Sequence, residues 1–127
     1  MRQELPSILL VDDEPFIVLG LKTFLEDEGM EVESAGSGEE ALDKVQAGRV
    51  FDICIMDQRL PGMNGDATIS ALHALCPGLR FIIHTGDTAY TISDDLRDMG
   101  VGSGHLFRKP LLDMGLLANA VRELVRC

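Results

Sequence analysis

Two adjacent carboxylates, Asp12 and Asp13, stand directly after the apolar run Ile8-Leu9-Leu10-Val11, and a third, Asp57, stands directly after Ile53-Cys54-Ile55-Met56. Thr85 closes a third run that contains Phe81-Ile82-Ile83, and Lys109-Pro110 follows shortly after Leu106-Phe107. Three carboxylates gathered in one cleft repel one another unless something cationic joins them. Mg²⁺ suits that task, because it is a hard cation held through one or two carboxylates, several waters and a phosphate oxygen; Mn²⁺ fits the same oxygen donors. A lysine ammonium and a threonine hydroxyl can each reach an oxygen of a phosphoryl group. An aspartate ionised at neutral pH is the nucleophile of aspartyl-phosphate chemistry. Metal and lysine together would stabilise charge on a transferring phosphoryl group, mostly by positioning and electrostatics.

For that chemistry to occur, residues far apart in sequence must meet. The apolar runs at 8–11, 53–56 and 81–83 are too short for helices and do not alternate, which predicts strands covered on both faces of a parallel sheet. Glu31-Val32-Glu33-Ser34-Ala35 alternates, as a more exposed strand near an edge would, and Leu106-Phe107 is a weaker fifth strand. Between the strands the apolar period becomes helical. Ile17, Leu21, Phe24 and Leu25 mark a first helix, and Ser37-Gly38-Glu39-Glu40 reads as a capping box opening a second, with Ala41, Leu42 and Val45. Ile69, Leu72 and Cys76 mark a third, stopped by Pro77-Gly78; Ala89–Met99 is a fourth with little apolar stripe; Leu117, Ala120, Val121 and Leu124 mark the last. Five β-α units in succession predict a flavodoxin-like three-layer α/β/α sandwich with a five-stranded parallel sheet in the order 2-1-3-4-5. In such a sheet ligands bind outside the carboxyl ends of the strands, where Asp12, Asp13, Asp57, Thr85 and Lys109 all stand.

The whole chain of 127 residues is the size of one domain, and a single domain over 1–127 is expected. Hydrophobic residues at 46% and charged residues at 25% are ordinary globular usage and argue against disorder. A formal net charge of −10 repels phosphate backbones, which speaks against direct nucleic-acid binding but leaves divalent cations open. Cys54, Cys76 and Cys127 form an odd set without a CxxC pair, which fits a reducing cytoplasm better than a disulfide framework. No apolar run approaches a membrane span, and residues 1–6 lack the apolar stretch of a secretory signal, so a cytoplasmic protein without membrane insertion is expected.

Taken together, these residues resemble the receiver domain of bacterial two-component response regulators over nearly the whole chain. The matching pieces are Ile8-Leu9-Leu10-Val11-Asp12-Asp13-Glu14-Pro15, Met56-Asp57-Gln58-Arg59-Leu60-Pro61-Gly62-Met63-Asn64-Gly65, His84-Thr85-Gly86 and Arg108-Lys109-Pro110. The resemblance implies that Asp57 is the phosphoacceptor and that Asp12 and Asp13 are the acidic Mg²⁺ pair, one of them binding largely through water. Asp57 itself and the backbone carbonyl of Gln58 would complete the protein ligands. It makes Thr85 the switch hydroxyl, Lys109 the phosphate-binding lysine and Lys109-Pro110 a cis peptide bond. It also implies a histidine kinase or histidine phosphotransfer protein as donor. The reader would be a downstream protein or fused output domain, engaged through the fourth helix, fifth strand and fifth helix. Catalysis would be limited to the chain's own phosphorylation and dephosphorylation. With the chain ending soon after Val125, either a stand-alone receiver or a piece of something larger is expected.

Three departures from the family pattern bear on readout. The family carries Tyr or Phe three residues before the lysine, where this chain has Leu106, followed by Phe107; the approach from Gly100 to Lys109 is slightly longer than usual; and Arg59 stands two residues after Asp57, placed to modulate phosphate lifetime. An Asp-nucleophile phosphohydrolase would want an acid where Arg59 stands. A flavin carrier would want a Ser/Thr/Gly-rich loop where Asp12-Asp13-Glu14 stands. A phosphate-insensitive pseudo-receiver would not be expected to keep all five functional positions. His73, His84 and His105 lack metal-ligand spacing, and His84 is expected to fill the end of a buried strand. Cys54 is expected as inert core and Cys127 as an exposed terminal thiol. Gly100, Gly102, Gly104 and Gly115 suggest a flexible approach to the fifth strand rather than a phosphate cradle.

Overall fold

Alternate residues of the central apolar runs go to opposite faces of one sheet, and both faces are buried. The computed structural model describes residues 5–126; residues 1–4 and Cys127 lie outside it, and with them the expected exposure of the Cys127 thiol. The elements run β1 (Ser7–Val11), α1 (Pro15–Asp27), β2 (Glu31–Ala35), α2 (Gly38–Gln46), β3 (Ile53–Met56), α3 (Gly65–Leu75), β4 (Arg80–Thr85), α4 (Asp94–Asp98), β5 (Leu106–Arg108) and α5 (Met114–Arg126), with a short 3₁₀ turn at Ser103–His105 before β5. All strand pairs are parallel and the order is 2-1-3-4-5, the flavodoxin-like arrangement. Leu9, Val11, Cys54, Met56, Phe81 and Ile83 pack with Ala41 of α2, Ile69 and Leu72 of α3 and Leu96 of α4. Ile8, Leu10, Ile53, Ile55 and Ile82 pack with Leu21 and Leu25 of α1 and Leu117, Ala118 and Val121 of α5. Burial on both faces is why these strands carry no polar alternation.

Helix starts follow local chemistry. Pro15 opens α1, where its missing N–H costs nothing. Ser37 caps α2 by accepting from Glu40 N–H, while the Glu40 carboxylate takes the N–H of Gly36, one residue further back than a capping box would reach. Asn64 caps α3 through Ala67 N–H at 2.9 Å, and Ser93 caps α4 through Leu96 N–H at 3.2 Å.

Two expectations need correction. The fourth helix was expected over Ala89–Met99, but α4 spans only Asp94–Asp98. Upstream of it the backbone turns over 87–90, and beyond the turn Tyr90 and Ile92 are buried while Thr91 and Ser93 are exposed, a period of two that belongs to extended chain. The Ser93 cap then fixes where the helix can begin. On β2 burial rises toward Ala35 instead of alternating, with the Glu33 side chain partly covered by Lys44 at 3.0 Å and by Arg49.

Helices α2 and α3 touch through Gly38: a Cβ built there would lie 2.1 Å from Thr68 Oγ1, whose hydroxyl donates to Asn64 O at 2.7 Å. Gly38→Ala is therefore expected to lose about 1–3 kcal/mol by overpacking. Gly20, inside α1 with nothing within 4 Å of its would-be Cβ, is the contrast. Gly20→Ala should gain about 0.5–1 kcal/mol from helix propensity. Urea denaturation of both variants with chelator present reads the two signs.

Candidate functional site

Register and three bonds that continue the sheet ladder beyond the strands set the site. Val11 of β1 lies opposite Met56 of β3, and the next residue of each is a carboxylate. Asp57 N–H donates to Val11 O at 2.9 Å, Asp12 N–H to Ala35 O at 3.1 Å, and Lys109 N–H to Thr85 O at 2.8 Å. Side chains placed this way come from backbone already fixed by the sheet. Asp12 is held further by accepting Glu14 N–H on Oδ1 at 3.0 Å, a turn that also leads into α1. The Asp57 side chain accepts Arg59 N–H at 3.3 Å.

Lys109 is the central cation. Its Nζ lies 2.7 Å from Glu14, 3.0 Å from Asp12 and 3.6 Å from Asp57. Burial alone would lower its pKa, but Glu14, Asp12 and Asp57 hold the ammonium above its ordinary value. Asp57 moves the other way from a free aspartate. Burial first, then repulsion from Asp12, raises it to about 6, against the opposing pull of Lys109 and the Arg59 N–H. Asp12 and Asp57 are almost wholly buried, whereas Asp13 is exposed.

Ligand oxygens of Asp12, Asp13, Glu14 and Asp57 all lie within 4.8 Å of one another. An all-oxygen set of this size fits a hard divalent cation. The Gln58 carbonyl, at the same strand end, accepts Gly65 N–H at 2.9 Å. A Cβ at Gly65 would meet Asp57 O at 2.5 Å, so glycine is what allows α3 to start directly against the site.

Of the residues singled out in the sequence, Asp12, Asp13, Asp57 and Lys109 meet in this cluster. Thr85 ends β4, fully buried, with its hydroxyl accepting Asp87 N–H at 3.0 Å. The Lys109–Pro110 bond is cis. Arg59 reaches away from Asp57 toward Asp87, at 3.4 Å. Leu106 is half-buried at the start of β5. His84 is buried, with neither ring nitrogen bonded among the described residues; burial, and then Lys109, lowers it to about 4, so it stays neutral. Cys54 is buried core, and burial pushes its thiol far up. His105 bonds locally, its Nδ1 accepting Gly102 N–H at 3.0 Å.

Glu14 is the site residue that sequence reasoning did not include. It is the third member of the acidic run after β1, and its exposed position hides the fact that it shares Lys109 with Asp12.

A family model described as the response regulator receiver domain matches residues 8–122. The transcriptional activator protein ExaE of Pseudomonas putida is 42% identical over 96 residues, covering 74% of this chain and 44% of that protein. The chain spans less than half the length of the first curated relatives it matches. A CheY-like response regulator receiver domain from Methanospirillum hungatei superposes with a TM-score of 0.80 at 31% identity, covering 97% of this chain and 96% of that one. The response regulator TrrA of Thermotoga maritima, solved with Mg²⁺ and BeF, superposes with a TM-score of 0.79 at 30% identity over 94% of this chain and 99% of its own.

A carboxyl whose folded pKa lies above its unfolded value holds its proton more tightly when folded. The stabilising contribution of Asp57 is then complete below about pH 4 and is lost as the pH rises through about 6. Asp57→Asn should therefore stabilise the metal-free protein by about 3 kcal/mol at pH 7.5, and the gain should vanish near pH 4. Denaturation curves with chelator at the two pH values check both the size and the sign.

Proposed function

The chain belongs to the family of response regulator receiver domains, the phosphoacceptor modules of two-component signalling, and from that premise we propose that Asp57 is the residue that takes the phosphoryl group. The observation that carries this reading is the shared ammonium. Lys109 lies within 3.6 Å of Asp57 while bonded to two other carboxylates, so it is held at the nucleophile and kept charged. An Asp57 carboxylate oxygen attacks phosphorus as the bond to the donor nitrogen breaks, and the donor imidazole leaves. Lys109 stabilises negative charge on one phosphoryl oxygen, and the Thr85 hydroxyl donates to another. Asp12 and Asp13, with Asp57 and the Gln58 carbonyl, would hold Mg²⁺ or Mn²⁺. The bound cation would offset the repulsion among the acids and neutralise charge on the phosphoryl oxygens.

The proposed donor is a phosphohistidine on a histidine kinase or histidine phosphotransfer protein. The proposed reader is a downstream protein or an output domain in the same polypeptide, engaged through α4, β5 and α5. The first curated relatives are named as transcriptional regulators, and another is a sensor protein, GacS, which supports both kinds of partner. We take residues 1–127 as one domain acting in the cytoplasm; among the described residues, no helix is long and apolar enough to cross a membrane. Arg59 points toward Asp87 and supplies no acid for hydrolysing other substrates, in keeping with catalysis limited to the chain's own acyl phosphate.

Incubation with acetyl phosphate and Mg²⁺ should add one phosphoryl group by intact mass, with no addition in Asp57→Asn or with chelator. Equal labelling of Asp57→Asn would move the acceptor elsewhere. Mg²⁺ should also raise the thermal midpoint, by the equivalent of about 2.7 kcal/mol at a hundredfold excess over Kd. Asp13→Ala should remove that rise.

A further inference from the structure

Leu106 leaves β5 without an aromatic ring three residues before Lys109, yet the same core receives one from another part of the chain. Tyr90, on the loop between β4 and α4, is 7% exposed and belongs to the cluster of Met56, Ile83, Ile92 and Leu96, against which Leu106 also packs. Its hydroxyl donates to Asp66 on α3 at 2.8 Å. Burial, reinforced by Asp66, raises the phenol well above its ordinary pKa, so it stays a donor.

The loop is tied to the site by its first residues. Asp87 N–H donates to the Thr85 hydroxyl at 3.0 Å. From Asp87 to Tyr90 the backbone closes on itself: Ala89 N–H donates to the Asp87 side chain at 3.0 Å, and Tyr90 N–H to Asp87 O at 3.2 Å. Arg108 on β5 spans the same segment, donating to Asp87 O at 2.7 Å and Tyr90 O at 3.0 Å. Residues 87–90 thus form one small folded unit. One end hangs on Thr85, and the other carries a buried ring.

We propose that Tyr90 is the moving aromatic of this receiver, driven from the Thr85 hydroxyl through the Asp87 amide and released from Asp66 when Asp57 is phosphorylated. The inference rests on Asp57 being the phosphoacceptor. A threonine hydroxyl can accept one hydrogen bond while donating another. When it turns to donate to a phosphoryl oxygen, the Asp87 N–H follows its acceptor. Bonds within 87–90 carry that displacement to the ring and draw the phenol off Asp66. Arg108 carries it to β5. The two states differ by named bonds, which is what a shift in population requires.

Tyr90 is the chain's single tyrosine and there is no tryptophan, so intrinsic emission reports this residue alone. A phenol bonded to a carboxylate emits weakly. Addition of Mg²⁺ and beryllofluoride should raise the emission of the unmodified chain and leave Asp57→Asn unchanged. In Asp66→Ala the resting emission should already be raised, with little further response, while acetyl phosphate labels it as fully as the unmodified chain by intact mass. Asp66→Asn, which keeps the volume, carries the same expectation should the alanine variant fail to fold. Full labelling of the unmodified chain without an emission change would overturn the role of Tyr90, as would an undiminished rise in the Asp66 variants. Absence of labelling would instead overturn the phosphoacceptor reading, and this inference with it.

Discussion

Like charges crowded at one edge of the sheet are the constraint around which the rest is arranged. Strand register alone brings Asp12 and Asp57 side by side with both carboxylates buried, and the chain continues after Asp12 with two more acids. Such a cluster is tolerable only with positive charge among it, and Lys109 supplies that from the far end of the sequence. The ammonium is divided between Glu14, Asp12 and Asp57, and the shorter contacts go to the first two. Burial first, and then the neighbouring Asp12 charge that Lys109 only partly offsets, leave Asp57 with a raised pKa. Crowding of this kind is unfavourable on its own, and an all-oxygen donor set of this size suits a hard divalent cation.

The surrounding scaffold serves close approach. Asp57 sits between β3 and the start of α3, and Gly65 lets that helix begin with its N–H on the Gln58 carbonyl. Gly38 does the same for α2 against α3. The path from Thr85 to α4 is held by hydrogen bonds at Asp87 and by two buried side chains, Tyr90 and Ile92. One side of the site is thus set by backbone packed at glycine, and the other by hydrogen bonds gathered on Asp87.

Much of this was legible in the sequence. Unbroken apolar runs such as Ile8–Val11 and Ile53–Met56 mark the doubly covered strands, and the helical spacing between them marks the crossovers of a doubly wound sheet, whose flavodoxin-like order is the one found. The acids and the lysine could be located because each follows a strand end. Ala89–Met99 reads as one helix, yet its first residues close a turn and run on extended to the five-residue α4; the buried positions 90 and 92 differ by two, a spacing too short in span to stand out. Glu14 was passed over because an exposed acid at a helix start usually belongs to the solvent, and only its distance to Lys109 shows otherwise. Tyr90 bonded to Asp66 spans 24 residues and left no local pattern to find.

The acidic cleft also shapes encounter. The chain carries a net charge of −10, and the carboxylates at the strand ends face any incoming phosphoryl donor. A small dianion diffusing in meets a repulsive field, so its arrival should quicken as added salt shortens the range of that field, about 10 Å at 0.1 M. A donor carried on a protein with a basic rim would meet the opposite sign and slow under the same salt. Ionic strength thereby separates the two classes of donor by rate before any chemistry occurs. The charges that make the empty site costly thus also act as a selective filter on how phosphoryl groups reach it.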